Sequence, residues 1–311
     1  MTIARLMAGL LAFTVAGTAS AQVPLASLER ACKNIGQRLA SVDTEYCINA
    51  GLKLGDGASH RGMPFLYRDY LPGSTRRTPY RVMLIGGIHG DELSSVSIVF
   101  QWMQKLEKER LQPFHWRVVP ASNPDGLLSR PSSRTNARGV DLNRNFPTPD
   151  WKNTAQKYWI EKTRRDPRRN PGPGPMSEPE SRWLTQQIAE FRPDAIVSVH
   201  APFGILDFDG PLHPPQRFGY LRLQPLGVYP GSLGNYSGVN KGLPTITLEL
   251  PHAGIMPTFD QSQRVWADML TWLEKHLPNA DAPLFQRLDA TPWTLGDAIN
   301  PMTDHLIQAR N

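Results

Sequence analysis

Two short motifs carry residue types that commonly hold a zinc ion. His89 and Glu92 are three positions apart in the segment IHGDE, where a predicted strand runs through a glycine turn into a predicted helix. His200 ends the apolar run SVH. Two imidazoles and one carboxylate with an open fourth position form a known catalytic zinc arrangement. Each motif alone is weak, because a polar turn with a capping Glu, or a hydrogen-bonded core histidine, has the same appearance.

A third polar residue stands where a strand should be apolar. Glu249 lies within TITLELP, residues 245–251. A buried carboxylate costs free energy unless it has a partner. Two interpretations stay open at this point, a structural salt bridge or a general base beside a metal-bound water.

Arginine and asparagine side chains are grouped between these motifs. Arg134 begins RTNARGVDLNRNFP, and Asn143 and Arg144 follow within it. Guanidinium groups bind carboxylates through two parallel hydrogen bonds, and a positioned cation can stabilise a developing oxyanion. Without further context these residues are as typical of a surface as of a substrate site.

Alternating apolar strands and amphipathic helices must position these residues. The predicted strands cover residues 81–87, 115–121, 195–199 and 245–250, and the predicted helices cover 92–107, a helix capped by Ser177, and 263–276. Such alternation predicts an α/β fold with a largely parallel sheet. Sites in such sheets lie at the carboxyl ends of the strands, which is where His89, His200 and Glu249 fall.

The order of the motifs resembles one known family. GGIHGDE, NPDG, RTNARGVDLNRNFP, SVHAPFG and TITLELP follow one another as in the M14 zinc carboxypeptidases, over roughly residues 60–277. The resemblance implies a mixed, mostly parallel central sheet with helices on both faces and one zinc ion per chain. It also implies these roles: His89, Glu92 and His200 as zinc ligands, Glu249 as general base, Arg134 at the oxyanion, and Asn143 with Arg144 at the substrate carboxylate.

Three further segments resemble the bacterial murein peptide amidases within that family. They are HAPFGILDFDGP, YPGSLGNYSG and LPTITLELP, which begin at residues 200, 229 and 243. This likeness implies hydrolysis of the amide bond between γ-D-glutamate and meso-diaminopimelate in peptidoglycan stem peptides. Other interpretations are a carboxypeptidase for ordinary peptides, a deacylase of acylated amino acids, or a catalytically silent peptidoglycan-binding module.

Three more residues are candidates for substrate contact. Asp207 and Asp209 could meet the second amino group of diaminopimelate, although an ordinary Asp-Gly turn is the simpler interpretation. The family often uses a mobile tyrosine between the third ligand and the base. Tyr229 and Tyr236 are in the right interval, and Tyr229 is preferred.

The N-terminus has the pattern of a signal peptide. Arg5 precedes an apolar run at residues 6–17, and small residues end at Ala21, where cleavage is expected. The run is shorter than the ~20 residues of a membrane span, so a periplasmic or secreted chain without stable membrane insertion is predicted. One domain is expected over residues 22–311, with a C-terminal tail from 278. Cys32 and Cys47, the only cysteines, should form a disulfide in that compartment.

The net charge of +6 is concentrated in one segment. Its cations are Lys157, Lys162, Arg164, Arg165, Arg168 and Arg169. A basic exported protein could be drawn to anionic polymers, but charge patterning favours a solvated loop, and residues 164–175 have the Pro/Gly content of a loop. No aromatic-basic recognition motif is present, so no nucleic-acid partner is expected.

Overall fold

A computed structural model of the protein describes residues 22–73, 79–109, 113–149 and 151–277. The predicted signal peptide and the predicted tail lie outside these ranges. The strands are β1 (Lys53–Ala58), β2 (Pro64–Tyr70), β3 (Arg81–Gly86), β4 (His115–Val119), β5 (Ala195–His200), β6 (Ile205–Asp209), β7 (Arg217–Phe218), β8 (Leu221–Leu223) and β9 (Thr245–Glu249). The helices are α1 (Gln22–Arg38), α2 (Thr44–Asn49), α3 (Leu93–Lys108), α4 (Pro124–Leu128), α5 (Trp151–Glu161), α6 (Pro179–Phe191) and α7 (Phe259–His276). There are also 3₁₀ turns at Leu142–Arg144 and Pro167–Arg169, and a π-helix at Gly234–Asn240.

The described strands form one nine-stranded sheet in the order β1-β2-β4-β3-β5-β9-β6-β8-β7. The four central strands β4, β3, β5 and β9 are parallel. The antiparallel pairs lie toward the edges, for example β1 with β2, β2 with β4, and β9 with β6. The predicted mixed α/β class is confirmed, because the parallel centre is flanked by strands that pair mostly antiparallel.

The central strands are buried on both faces. In β3, Val82 and Leu84 belong to one apolar cluster, while Met83 and Ile85 belong to the other. The first cluster includes residues of α1, α3 and α7, and the second includes residues of α6. Side chains of a strand alternate between faces, so helices cover the sheet on both sides and leave the strand ends free to carry the site.

The helix starts differ from the sequence prediction in two places. Helix α7 begins at Phe259, ahead of residue 263, because Thr258 and Gln261 form a reciprocal capping box. The N-cap of α6 is Glu178 and not Ser177. The Ser177 hydroxyl donates instead to the Glu178 carboxylate, at 2.8 Å.

The predicted disulfide is present and joins two helices near the start of the described chain. Cys32 of α1 is bonded to Cys47 of α2, and both residues are fully buried. Helix α1 and the edge strands β1, β2, β6, β7 and β8 were not predicted from the sequence.

Candidate metal centre and active-site cleft

The three predicted ligands converge at the carboxyl end of the parallel strands. His89 Nδ1 is 2.7 Å from Glu92 Oε1, and His200 Nδ1 is 3.0 Å from Glu92 Oε2. The two Nδ1 atoms are 3.1 Å apart. All three side chains are buried, so this cluster is shielded from bulk water except through the cleft described below.

The orientation of the two imidazoles fits a shared cation. His89 Nε2 is 3.2 Å from Asp141 Oδ1, so in the tautomer that donates from Nε2 to this carboxylate the lone pair of Nδ1 is free for a cation. His200 Nε2 is 2.9 Å from Ser198 Oγ, a group that can accept in the same way. Outer partners of this kind orient histidine ligands in metal sites. Two imidazole nitrogens and a carboxylate facing one point match the donor set of zinc.

Glycine makes possible the turn at residues 87–92, which carries His89 and Glu92 and is called the ligand turn below. Gly87 has φ +65°, a conformation that favours glycine. A Cβ at Gly90 would lie 2.2 Å from the backbone carbon of Gly126 in α4. The turn therefore packs directly against α4, and this close approach brings His89 and Glu92 to the same point.

Asp141 is a site residue that the sequence analysis missed. It is fully buried and accepts hydrogen bonds from His89 and from Arg134 Nε, the latter at 3.1 Å. Burial acts to raise the pKa of Asp141, but the charges of Arg134 and His89 hold it well below its usual value. Asp141 thus links the predicted oxyanion arginine to a predicted ligand. Arg134 also reaches Glu92 Oε1 at 3.4 Å.

Glu249 lies beside the ligand cluster because of strand register. In the parallel pair of β5 and β9, Glu249 is the partner of His200. Its side chain is buried, and Glu249 Oε2 has no hydrogen-bond partner among the described residues. Burial raises the pKa of this carboxyl group above its ordinary value. Glu249 therefore has a carboxylate oxygen that is free to bond a group in the space beside the three predicted ligands.

The cluster opens into a cleft of about 380 Å³ that contains every predicted site residue. Arg144 is largely buried, with its guanidinium 4.5 Å from the centre of the Tyr229 ring. Arg144 Nε is buried and has no hydrogen-bond partner among the described residues. The neighbouring Asn143 is fastened by its side-chain oxygen, which accepts from Leu233 N at 2.8 Å.

The two candidate tyrosines, Tyr229 and Tyr236, lie in different places in the structure. Tyr229 lines the cleft, and its hydroxyl donates to Leu226 O at 2.8 Å. Tyr236 is 2% exposed and stacks on Phe146 in the core. Only Tyr229 is therefore in a position to contact a substrate in this conformation.

The two aspartates of β6 also face the cleft. Asp207 and Asp209 both line it. Burial, together with the charge of Asp207, raises the pKa of Asp209 to about 7. Gly234 leaves the space that Asp209 occupies, since a Cβ there would lie 2.0 Å from Asp209 Oδ2.

Part of the basic segment reaches the cleft, which the sequence analysis did not predict. Arg168 and Arg169, in the second 3₁₀ turn, line the same cavity. Arg168 pairs with Asp91 of the ligand turn at 2.8 Å. These two arginines are therefore part of the site and not of a detached solvated loop.

Comparisons with known proteins agree with this geometry. A family model described as zinc carboxypeptidase matches residues 50–203. The chain is 32% identical to murein peptide amidase A of Escherichia coli (strain K12) over 228 residues, which cover 70% of this chain and 89% of that protein. The chain belongs to the M14 family of zinc carboxypeptidases. It is therefore a peptide hydrolase of a family of zinc enzymes.

Solved structures share the fold of this chain. The crystal structure of murein-tripeptide amidase MpaA from Escherichia coli O157 superposes with a TM-score of 0.51 at 29% identity, covering 71% of this chain and 92% of that one. Bovine thrombin-activatable fibrinolysis inhibitor, in complex with tick carboxypeptidase inhibitor, shares the fold at a TM-score of 0.56 and 16% identity, with 81% and 97% covered.

The helices that the structure describes include none with the length and apolarity needed to cross a membrane.

Proposed function

We propose that this chain hydrolyses the amide bond between γ-D-glutamate and meso-diaminopimelate in peptidoglycan stem peptides, and so converts a tripeptide stem to a dipeptide. The likeness to murein peptide amidase A supports this substrate class. The observation that carries the proposal is that one cleft is lined both by a cationic side chain, Arg144, and by two acidic side chains, Asp207 and Asp209. Diaminopimelate bears carboxylates and, after linkage through one amine, a free ammonium group. A C-terminal residue with an uncharged side chain would require only the arginine.

One zinc ion per chain is proposed to be held by His89, Glu92 and His200. When bound, zinc acts as a Lewis acid that lowers the pKa of water to about 7 and polarises a carbonyl oxygen. The chain's own residues then carry the proton and hold the substrate.

Glu249 is proposed as the general base and acid. Its free oxygen accepts a proton from the attacking water and then delivers it to the leaving amine. A carboxyl group whose pKa is raised by burial is better matched to this exchange near neutral pH than an exposed one.

Arg134 is proposed to stabilise the oxyanion that develops at the scissile carbonyl. Asp141 orients it by accepting from its Nε at 3.1 Å, and the same carboxylate orients His89. This shared partner keeps the cation and the ligand cluster in a fixed relation.

Asn143 and Arg144 are proposed to hold the carboxylate of diaminopimelate. Tyr229 supports the Arg144 guanidinium from one side. Asp207 and Asp209 are proposed to bind the free ammonium group of the same residue, on the part of the cleft formed by β6.

The setting is proposed to be the periplasm or the cell exterior. The disulfide between α1 and α2 agrees with an oxidising compartment. The predicted signal peptide lies outside the described residues, so export rests on the sequence pattern alone. The single domain expected over residues 22–311 stays a prediction, and within the described ranges it is supported by the one shared sheet.

Mass-spectrometric digestion of purified muropeptides tests the proposal. Tripeptide, tetrapeptide and pentapeptide stems are incubated in parallel with the wild-type enzyme, with and without a chelator, and with Glu249→Gln as the inactive control. We expect release of diaminopimelate from the tripeptide, lost with the chelator and restored by zinc. If ordinary peptides or acylated amino acids are cleaved and no muropeptide is, the alternative substrates replace this proposal.

A further inference from the structure

The chain makes a sharp turn before it reaches the cleft arginines. Helix α5 ends at Glu161, and Arg164 and Arg165 then have φ values of +54° and +58°. Two successive non-glycine residues in this left-handed region cost free energy, so such a turn persists only where the surrounding structure holds it. The turn directs the 3₁₀ turn Pro167–Arg169 back toward the metal ligands.

Hydrogen bonds fasten this segment to the active site. Trp159 Nε1 donates to Asp166 O at 2.8 Å, and the Asp166 side chain accepts from Arg168 N at 2.9 Å. Asp141 N donates to Asn170 O at 2.8 Å. Because Asp141 also holds His89, the segment that carries the arginines is tied to the ligand cluster.

The two guanidinium groups are anchored but keep donors free. Arg168 is paired with Asp91 at 2.8 Å, and Arg169 with Asp166 at 3.5 Å. Their side chains are nonetheless 59% and 46% exposed. A guanidinium has five N–H donors, so each has donors left for a ligand in the cleft. Arg169 also lies near Arg144: burial, and then the charges of Arg134 and Arg169, lower the pKa of Arg144.

We propose that Arg168 and Arg169 form an anion subsite for the free α-carboxylate of the γ-D-glutamyl residue. This inference rests on the proposed function. In a γ-linkage the side-chain carboxyl group forms the scissile amide, so the α-carboxylate stays free only a few bonds from the reacting carbonyl. An α-linked residue has no free main-chain carboxylate there. The subsite therefore selects γ-glutamyl amides over ordinary peptides.

The remaining cations of the basic segment provide a matched control. Lys157 and Lys162 are exposed and do not line the cleft. A surface that only attracts anionic polymers would depend on these lysines as much as on the arginines. A subsite for one carboxylate depends on Arg168 and Arg169 alone.

The test compares two synthetic tripeptides, L-alanyl-γ-D-glutamyl-diaminopimelate and its analogue with the glutamyl α-carboxylate converted to an amide. The wild-type enzyme should prefer the free acid. Arg168→Ala/Arg169→Ala should raise KM for the acid by roughly tenfold with little change in kcat, and leave the amide unaffected, because charge-assisted bonds to a carboxylate are lost. Lys157→Ala/Lys162→Ala, which removes the same charge, should change neither. Zinc content and thermal unfolding of each variant are measured alongside.

Three results would overturn the subsite. The wild-type enzyme treats the acid and the amide alike; the arginine variant loses activity equally on both, which indicates a structural role; or the lysine variant reproduces the arginine effect. If the wild-type enzyme cleaves neither tripeptide, the proposed function itself is wrong, and the subsite is withdrawn with it.

Discussion

Two clusters of histidine and glutamate in the described part of the chain are tight enough to hold a metal ion. One is His89, Glu92 and His200, and the other is His60, Glu178 and Glu180. In each cluster the candidate ligand atoms lie within 4.8 Å of one another. Proximity therefore does not distinguish them, and the difference lies in burial, since His60 is exposed, and in their hydrogen bonds.

In the second cluster, neighbouring side chains donate hydrogen bonds to the two carboxylates. Asn136 Nδ2 donates to Glu178 Oε2 at 2.8 Å and to Glu180 Oε2 at 3.1 Å. Glu178 is also paired with His60 at 2.8 Å and accepts from Ser177 at 2.8 Å. In the first cluster, by contrast, two imidazole nitrogens face each other while their outer nitrogens are engaged elsewhere. The first cluster is thus distinguished by two imidazole nitrogens that both face the Glu92 carboxylate, and not by proximity alone.

The largest effect should come from removing one histidine from each cluster. His200→Ala should reduce bound zinc from one per chain to none and lower kcat/KM by more than about a thousandfold, because a ligand of the proposed metal is lost. His60→Ala should retain the zinc and most of the activity. Elemental analysis after dialysis, with kinetics on the tripeptide, measures both. Zinc loss in the His60 variant would reverse the assignment of the two clusters.

The next largest effect should be on kcat, and it distinguishes the proposed base Glu249 from Glu180, a second buried carboxyl group. Glu249→Gln should lower kcat by about 10²–10⁴ while zinc content is unchanged, because a proton-transfer group is removed. Glu180→Gln should leave kcat within about twofold, since Glu180 does not line the cleft. Equal losses in the two variants would mean that Glu249 acts through the fold and not through proton transfer.

A smaller effect is expected at the outer partner of His89. Asp141→Asn should weaken zinc binding by about 10–100-fold, as is typical when an outer hydrogen-bond partner of a ligand is replaced. Competition with a chromogenic chelator measures the affinity. An unchanged zinc affinity would show that Asp141 orients Arg134 but is not needed to orient His89.

Asn136 tests the second cluster as a structural network. Asn136→Ala removes the donor shared by two buried carboxylates, so the free energy of unfolding should fall by about 1–3 kcal/mol. Urea unfolding measures the change, and zinc affinity serves as the internal control. A drop in zinc affinity without a drop in stability would contradict the structural interpretation.

The smallest effect concerns pH. The pKa of Asp209 is raised to about 7, so Asp209 is mostly protonated below that pH and mostly ionised above it. Only the ionised form attracts an ammonium group, and KM for the tripeptide should therefore rise by roughly a few-fold, the size of one weak ion pair, as pH falls from 8 to 6. Asp209→Asn should flatten this dependence. The pKa of Glu180 is also raised by burial. Protonation of Glu180 should nevertheless leave KM unchanged, because Glu180 does not line the cleft.

Much of the centre of the fold could be predicted from local patterns. The apolar runs at β3, β4, β5 and β9 were predicted as strands because both faces of a central parallel strand are buried. Strands β7 and β8 were not predicted, because they span only two and three residues and have little pattern of their own. Residue type predicts Ser177 as the N-cap of α6, whereas in the structure its hydroxyl donates to the Glu178 carboxylate.

The sequence by itself predicted which residues do the chemistry. His89, Glu92, His200 and Glu249 were selected because the order of the motifs that contain them resembles the M14 family, whereas each motif alone is weak. Only the tertiary structure decided what lies around them. Asp141 and the cleft arginines Arg168 and Arg169 are distant from the ligands along the chain and reach them through long-range packing. No short-range spacing encodes such contacts, because they depend on the sheet register and on the turn at residues 164–165 that together bring the segments into one cleft.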